Sequence, residues 1–96
     1  MIKSSIRGIY TWFYVAVILF SIVFWLNIDK VTGAWKLHRD SCRFCNPVES
    51  KVKGVNKMKR NGGWFKHETY QSAYTFFQKE HEGTEYWQPC RNCNLT

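Results

Sequence analysis

The sequence predicts a single transmembrane α-helix followed by a small α+β domain clamped by cysteines. Residues 9–28 contain no charged side chain, and all the acidic residues follow them. The later part also holds four cysteines in two C-x-x-C pairs. With 96 residues and a formal net charge of +7, the chain is long enough for one small domain, which excludes a large enzyme core.

The predicted transmembrane helix is the segment IYTWFYVAVILFSIVFWLNI, residues 9–28, after a short tail of residues 1–8. A helix of this length covers roughly the 30 Å of a bilayer's hydrocarbon core. Tyr10, Trp12 and Trp25 fit the aromatic belts at the membrane interfaces. Because a signal peptide has an apolar region of only about 7 to 15 residues, we interpret the segment as a retained anchor.

Basic residues near the predicted anchor indicate its orientation. Two precede it and four follow it, namely Lys3 and Arg7, then Lys30, Lys36, Arg39 and Arg43. Since positively charged flanks stay on the cytoplasmic side, the predicted localisation is a single-pass membrane protein with a cytoplasmic C-terminal domain.

Residues 29–96 form the predicted C-terminal domain. Asn61-Gly62-Gly63 is a strong turn signal. Apolar residues recur at helical spacing across residues 68–82, which predicts one amphipathic helix with Thr69 near its start. Gly83 follows where a left-handed cap is expected, and residues 84–87 are a candidate short strand.

The two cysteine pairs are the strongest chemical signal. Both follow C-R-x-C-N, as Cys42-Arg43-Phe44-Cys45-Asn46 and Cys90-Arg91-Asn92-Cys93-Asn94. Each turn can point two thiolates at one ion, and four thiolates satisfy tetrahedral Zn²⁺. The predicted ligands are therefore Cys42, Cys45, Cys90 and Cys93. An alternative Cys₃His set replaces one sulfur with His38, four residues before Cys42.

These pairs resemble the two metal-binding knuckles of zinc ribbons and rubredoxin-like domains. The resemblance implies a zinc-ribbon-like fold for the C-terminal domain and a structural zinc ion. With iron instead, it implies a membrane-tethered electron-transfer module. A third possibility is two disulfides, for example one linking Cys42 to Cys90, in a stapled extracytoplasmic domain that binds a partner.

The densest positive run follows the first cysteine pair and comprises Lys51, Lys53, Lys57, Lys59 and Arg60. The run is either a solvated face or a surface that contacts the anionic headgroups of a lipid bilayer or an acidic partner, and we do not expect nucleic acid.

The sequence shows no phosphate-binding loop, nucleophile elbow or paired-carboxylate motif. We therefore expect a non-catalytic chain. The predicted function is that of an accessory, structural subunit of a larger membrane complex concerned with energy conversion or oxidation. Its expected partners are larger integral membrane subunits.

Overall fold

The computed structural model describes residues 23–93, which form a mixed sheet of five strands with one helix packed on it. The elements in chain order are β1 (Phe24–Asp29), β2 (Ala34–Arg39), β3 (Gly54–Val55), β4 (Gly62–His67), α1 (Tyr70–Glu80), β5 (Tyr86–Trp87) and a 3₁₀ turn (Arg91–Cys93). The strand order in the sheet is β3-β4-β1-β2-β5. β1 is antiparallel to both β2 and β4, whereas the outer strands run parallel to their neighbours. The first strand is thus the centre of the sheet.

A tight hairpin joins β1 to β2. The Asp29 side-chain oxygen accepts the backbone N–H groups of Val31 at 2.9 Å and Thr32 at 3.4 Å. Gly33 has a φ of +83° and donates its N–H to the Asp29 carbonyl at 2.8 Å. Aspartate accepts such local bonds readily and glycine adopts positive φ without strain, so these residues determine the turn.

The core lies between α1 and one face of the sheet. Strand alternation places Leu26 opposite Leu37, and Ile28 opposite Trp35, on this face. All four side chains are at most 2% exposed, and Ala73 and Phe77 of α1 join the same buried cluster. The alternate residues of β1 and β2, which include Asn27, Lys36 and His38, lie on the opposite face of the sheet, which α1 does not cover.

The amphipathic helix and its N-terminal cap are confirmed. Thr69 precedes α1 with extended backbone, and its hydroxyl accepts the Ser72 N–H at 2.9 Å. The expected left-handed cap at Gly83 is not confirmed, because the C-cap is His81, which has extended backbone and donates its N–H to the Phe77 carbonyl at 2.9 Å. Gly83, with a φ of +53°, lies two residues further on. The predicted short strand is also confirmed, as β5.

The predicted transmembrane helix over residues 9–28 is wrong. Its last part, residues 24–28, is extended and forms most of β1, hydrogen-bonded to strands on both sides. Residues 9–22 lie outside the described part of the chain. Within residues 23–93, no helix has the length and apolar character needed to cross a membrane. The structure thus contradicts the single-pass membrane localisation as well as the fold class built on it.

The aromatic residue assigned to the second membrane interface has a different role. Trp25 lies in β1, and its indole N–H donates to the Asp40 carboxylate at 3.0 Å. This bond attaches the start of β1 to the turn that follows β2. The other two interface residues, Tyr10 and Trp12, lie outside the described residues.

Candidate metal centre

The first two residues of the candidate metal site lie at the C-terminal end of β2 and in the turn that follows it. His38 is the second-last residue of β2, and a turn in which the Cys42 N–H donates to the Arg39 carbonyl at 2.9 Å brings Cys42 back beside it. The far cysteine pair arrives along the neighbouring strand. The β5 ladder continues past Trp87, because the N–H groups of Gln88 and Cys90 donate to Trp35 and Leu37, each at 2.9 Å.

Four ligand atoms converge at this point. The donor atoms of His38, Cys42, Cys90 and Cys93 all lie within 4.8 Å of one another. The Cys42 and Cys90 sulfurs are 3.9 Å apart, and the Cys93 sulfur is 3.8 Å from Nδ1 of His38. Tetrahedral Zn²⁺ with Zn–S distances of about 2.3 Å places its sulfurs about 3.8 Å apart. These four side chains can therefore hold a metal ion.

Three of the four cysteines predicted as ligands belong to this cluster, and Cys45 does not. The Cys45 N–H donates to the Cys42 carbonyl at 2.9 Å, so its backbone closes the turn. Burial, together with the charges of Asp40 and Cys42, raises the pKa of the Cys45 thiol to about 11. The fourth position is filled by His38, the residue of the alternative Cys₃His set.

The thiols of the cluster differ in acidity. Burial raises the pKa of Cys42, but hydrogen bonds from the Cys93 thiol and from the backbone N–H of Phe44 outweigh burial and lower it overall. Cys93 is the opposite case, because burial and donation to Cys42 raise its pKa to about 12. In the metal-free protein Cys42 is therefore the first of these two thiols to ionise.

His38 is in the protonation state that a metal ligand requires. The residue is 4% exposed, and burial, with a smaller effect of the Lys36 charge, lowers its pKa. The centre of its imidazole ring lies 5.8 Å from that of the Trp64 ring. A neutral imidazole has a free nitrogen lone pair, so His38 can bind a metal at neutral pH.

The disulfide alternative differs from the observed geometry. All four cysteines are free, and the two sulfurs proposed to pair, those of Cys42 and Cys90, are 3.9 Å apart.

The basic run is partly neutralised within the fold. Glu49 forms ion pairs with Lys57 at 3.4 Å and Lys59 at 3.3 Å. The Lys53 ammonium lies 5.7 Å from the centre of the Trp64 ring. Lys51 and Arg60 are exposed.

The roles of two residues, one near the β1–β2 hairpin and one near the candidate metal site, were not predicted from the sequence. Glu85, which accepts hydrogen bonds from Lys30 and Trp35, looks like any acid in a polar loop. Asn27 reads as a polar interruption in an apolar segment. His38 had a usable signal, namely its position four residues before the first cysteine pair.

Comparisons with protein-family models, with curated proteins and with solved structures gave no match for this chain.

Proposed function

We propose that this chain is a non-catalytic accessory module whose fold is clamped by one structural zinc ion and whose basic surface binds a larger partner. The observation that carries the proposal is the convergence of His38, Cys42, Cys90 and Cys93 within 4.8 Å of one another. Four protein ligands complete a tetrahedral shell and leave no position for substrate, which is typical of structural rather than catalytic zinc.

The donor set favours zinc over iron. Three sulfurs and one imidazole nitrogen form one of the usual structural zinc sets. A rubredoxin-like iron site, the alternative electron-transfer function, uses four thiolates. Cys45, which would supply the fourth thiolate, lies outside the cluster, and His38 Nδ1 lies 3.8 Å from the Cys93 sulfur instead.

One pair of side chains resembles catalytic machinery, and its surroundings argue against that role. Nδ1 of His67 lies 2.9 Å from the Ser72 hydroxyl. The other ring nitrogen, Nε2, is buried without a hydrogen-bond partner, whereas a catalytic histidine needs an orienting group there. Burial lowers the pKa of His67, so the pair is better explained as an uncharged contact at the start of α1.

Metal binding is tested by titrating the reduced, metal-free protein with Co²⁺ and then Zn²⁺. We expect one equivalent, with thiolate-to-cobalt charge transfer and the visible bands of tetrahedral Co²⁺. Cys42→Ser and Cys90→Ser should each weaken binding at least 100-fold, and Cys45→Ser should leave it within about twofold. Equal losses in Cys45→Ser and Cys42→Ser would indicate a Cys₄ site, and absence of binding would contradict the proposal.

The partner surface we propose is the sheet face opposite α1. Strand alternation places the exposed Lys36 and Lys66 there, and Arg91 lines the same cleft as Lys36. Phe44, which is 49% exposed, lines that cleft too. Basic side chains around an exposed aromatic ring suit an acidic patch on a protein surface.

Charge reversal tests this surface. We compare Lys36→Glu/Lys66→Glu with Lys51→Glu/Arg60→Glu, which changes the net charge equally within the basic run. The first pair should elute from immobilised poly-glutamate at lower salt than the second. If Lys51→Glu/Arg60→Glu elutes at the lower salt concentration instead, the basic run is the contact surface. Tighter retention of the wild-type chain on single-stranded oligonucleotide than on poly-glutamate would contradict a protein partner.

A further inference from the structure

A cleft of about 630 Å³ opens beside the candidate metal centre, on the sheet face that α1 leaves uncovered. Its lining includes two metal ligands, His38 and Cys90, and one side chain from the central strand, Asn27. The cleft therefore joins the outer side of the metal site to the middle of the sheet.

Asn27 has an unmet hydrogen-bonding need in this cleft. Its side-chain oxygen is buried and has no hydrogen-bond partner. Its backbone belongs to the central strand, paired with Lys36 on one side and Trp64 on the other. A buried acceptor without a donor destabilises the fold, so we expect the functional protein to supply a donor to this oxygen.

His38 can supply the donor that the Asn27 oxygen lacks. Its Nδ1 lies 3.8 Å from the Cys93 sulfur and is the nitrogen directed at the ligand cluster. When Nδ1 binds a metal, Nε2 bears the proton and becomes a donor. Metal-binding histidines almost always donate this second N–H to a carboxylate, a carbonyl or a water, which fixes the ring and its tautomer.

The register brings the two groups together. Asn27 pairs with Lys36, and His38 is two residues further along the same strand, so Asn27 and His38 are diagonal neighbours on one face. Diagonal partners have Cα atoms about 7 to 8 Å apart, a distance that two side chains can span directly or with one water. Both side chains line the same cleft.

We propose that the Asn27 side-chain oxygen is the outer-shell acceptor for the Nε2–H of His38, directly or through one bridging water. Asn27 thus acts as a positioning residue that holds His38 with Nδ1 toward the metal. This inference rests on the proposed metal site, and it adds a fifth residue to that site from a different strand.

The test uses Asn27→Ala and Asn27→Asp in the full chain, with Gln78→Ala, which removes an exposed amide from α1, as the matched control. Zn²⁺ affinity is measured by competition with a chelator. We expect Asn27→Ala to weaken binding about 10- to 100-fold, the usual effect of losing an outer-shell partner. Asn27→Asp retains the acceptor and should stay within about threefold of wild type, as should Gln78→Ala.

A second readout separates positioning from a general loss of stability. In ¹⁵N-labelled, zinc-loaded wild type, NMR should show His38 bound through Nδ1 with a slowly exchanging Nε2 proton. In Asn27→Ala this proton should exchange faster while the backbone spectrum is retained. Wild-type affinity in Asn27→Ala, or coordination through Nε2, would overturn the inference while leaving the metal site intact. Failure of the wild-type protein to bind zinc would overturn both.

Discussion

The Glu85 carboxylate connects three parts of the chain. One oxygen lies 2.9 Å from the Lys30 ammonium in the β1–β2 turn. The other accepts the Trp35 indole N–H at 3.1 Å and the Glu82 backbone N–H at 2.8 Å. The Glu85 side chain is only 11% exposed, so these bonds are shielded from water. One side chain thus attaches the loop before β5 to the hairpin and to the largest buried residue of the core.

Replacing Glu85 with alanine should lower the free energy of unfolding by about 3 kcal/mol. The change leaves the partly exposed Lys30 charge and the buried Trp35 N–H without their partner, and each loss costs about 1 to 3 kcal/mol. Urea denaturation of the metal-loaded protein measures the effect. The exposed Glu68→Ala is the control and should change stability by less than about 0.5 kcal/mol. Equal losses in both variants would show that Glu85 has no special role.

The same carboxylate predicts a pH dependence. Burial raises the pKa of Glu85, but hydrogen bonds from Lys30 and the Glu82 backbone outweigh it, so the pKa lies below its ordinary value of 4.5. The unfolded chain then binds the proton more readily than the folded chain. The contribution of Glu85 is therefore complete above pH 4.5 and lost as pH falls through the folded pKa. The stability gap between wild type and Glu85→Ala should shrink in that range.

Cys45 should be the one cysteine of the four that an alkylating reagent modifies in the metal-loaded protein. It lies outside the ligand cluster, whereas a bound ion protects the sulfurs of the other cysteines. Treatment with iodoacetamide and peptide mapping should find Cys45 modified and Cys42, Cys90 and Cys93 protected. The reaction should be slow at neutral pH, because burial raises the pKa of Cys45 to about 11. Protection of Cys45 together with modification elsewhere would contradict the ligand assignment.

At the scale of elements, β4 begins at a glycine that has no room for a side chain. Gly62 has a φ of +123°, and a Cβ there would collide with the Ile28 carbonyl oxygen of β1. The backbones of β4 and β1 approach closely at this point, and the Lys30 N–H donates to the Asn61 carbonyl at 3.0 Å. The turn signal in the sequence therefore also marks a close strand contact.

Gly62→Ala should destabilise the fold by about 3 kcal/mol or more, since it combines backbone strain with overpacking. Gly83→Ala is the matched control, because Gly83 also has positive φ, at +53°, but nothing lies within 4 Å of an added Cβ. This control should cost about 1 kcal/mol, the strain alone. Thermal unfolding of both variants measures the difference. Equal costs would mean that the contact with Ile28 relaxes easily.

The elements differ in how far the sequence predicts them. α1 is predictable because its signals are local: helical spacing, a threonine cap, and Gly83 after its end. β1 is not, because its residues 24–28 are uncharged and continue the apolar run that precedes them, which gives them the composition of a membrane span. Its identity as a strand depends on pairing with β2 and β4, which no local pattern reveals.

At the scale of the whole molecule, the candidate metal joins distant parts of the chain. His38 and Cys93 are 55 residues apart in sequence, and their ligand atoms are 3.8 Å apart in space. The described residues form a small domain with only one helix and five strands, two of which are two residues long. Small domains bury a limited fraction of their surface, so a metal crosslink is expected to supply much of the stability.

Removing the metal should therefore destabilise the whole domain. Structural zinc ions bind with apparent free energies of about 10 kcal/mol or more, and 1 kcal/mol shifts the Tm of a domain this size by about 4 to 8 °C. We expect a chelator to lower the Tm by about 40 °C or more, or to abolish cooperative unfolding. Circular dichroism measures this, and adding back Zn²⁺ should restore the transition. An unchanged Tm would show that the ion does not support the fold.

The candidate site was predictable in part. Two C-x-x-C pairs identify the ligand chemistry without any structure, because four thiols at this spacing are typical of metal sites. The place of His38 in the cluster, with Cys45 outside it, follows from the register of β2 and the continuation of the β5 ladder to Cys90. Both are long-range features, so the sequence could offer His38 only as an alternative.

The parallel pairing of β5 with β2 also has a consequence for biosynthesis. Cys90 and Cys93 come after all five strands in the chain. A nascent chain that has emerged only as far as α1 therefore holds just two of the four ligands, His38 and Cys42. Stable metal capture must then wait until residues 90–93 leave the ribosome. Chains truncated before that point cannot close the site, so metal retention would distinguish chains that contain residues 90–93 from shorter ones.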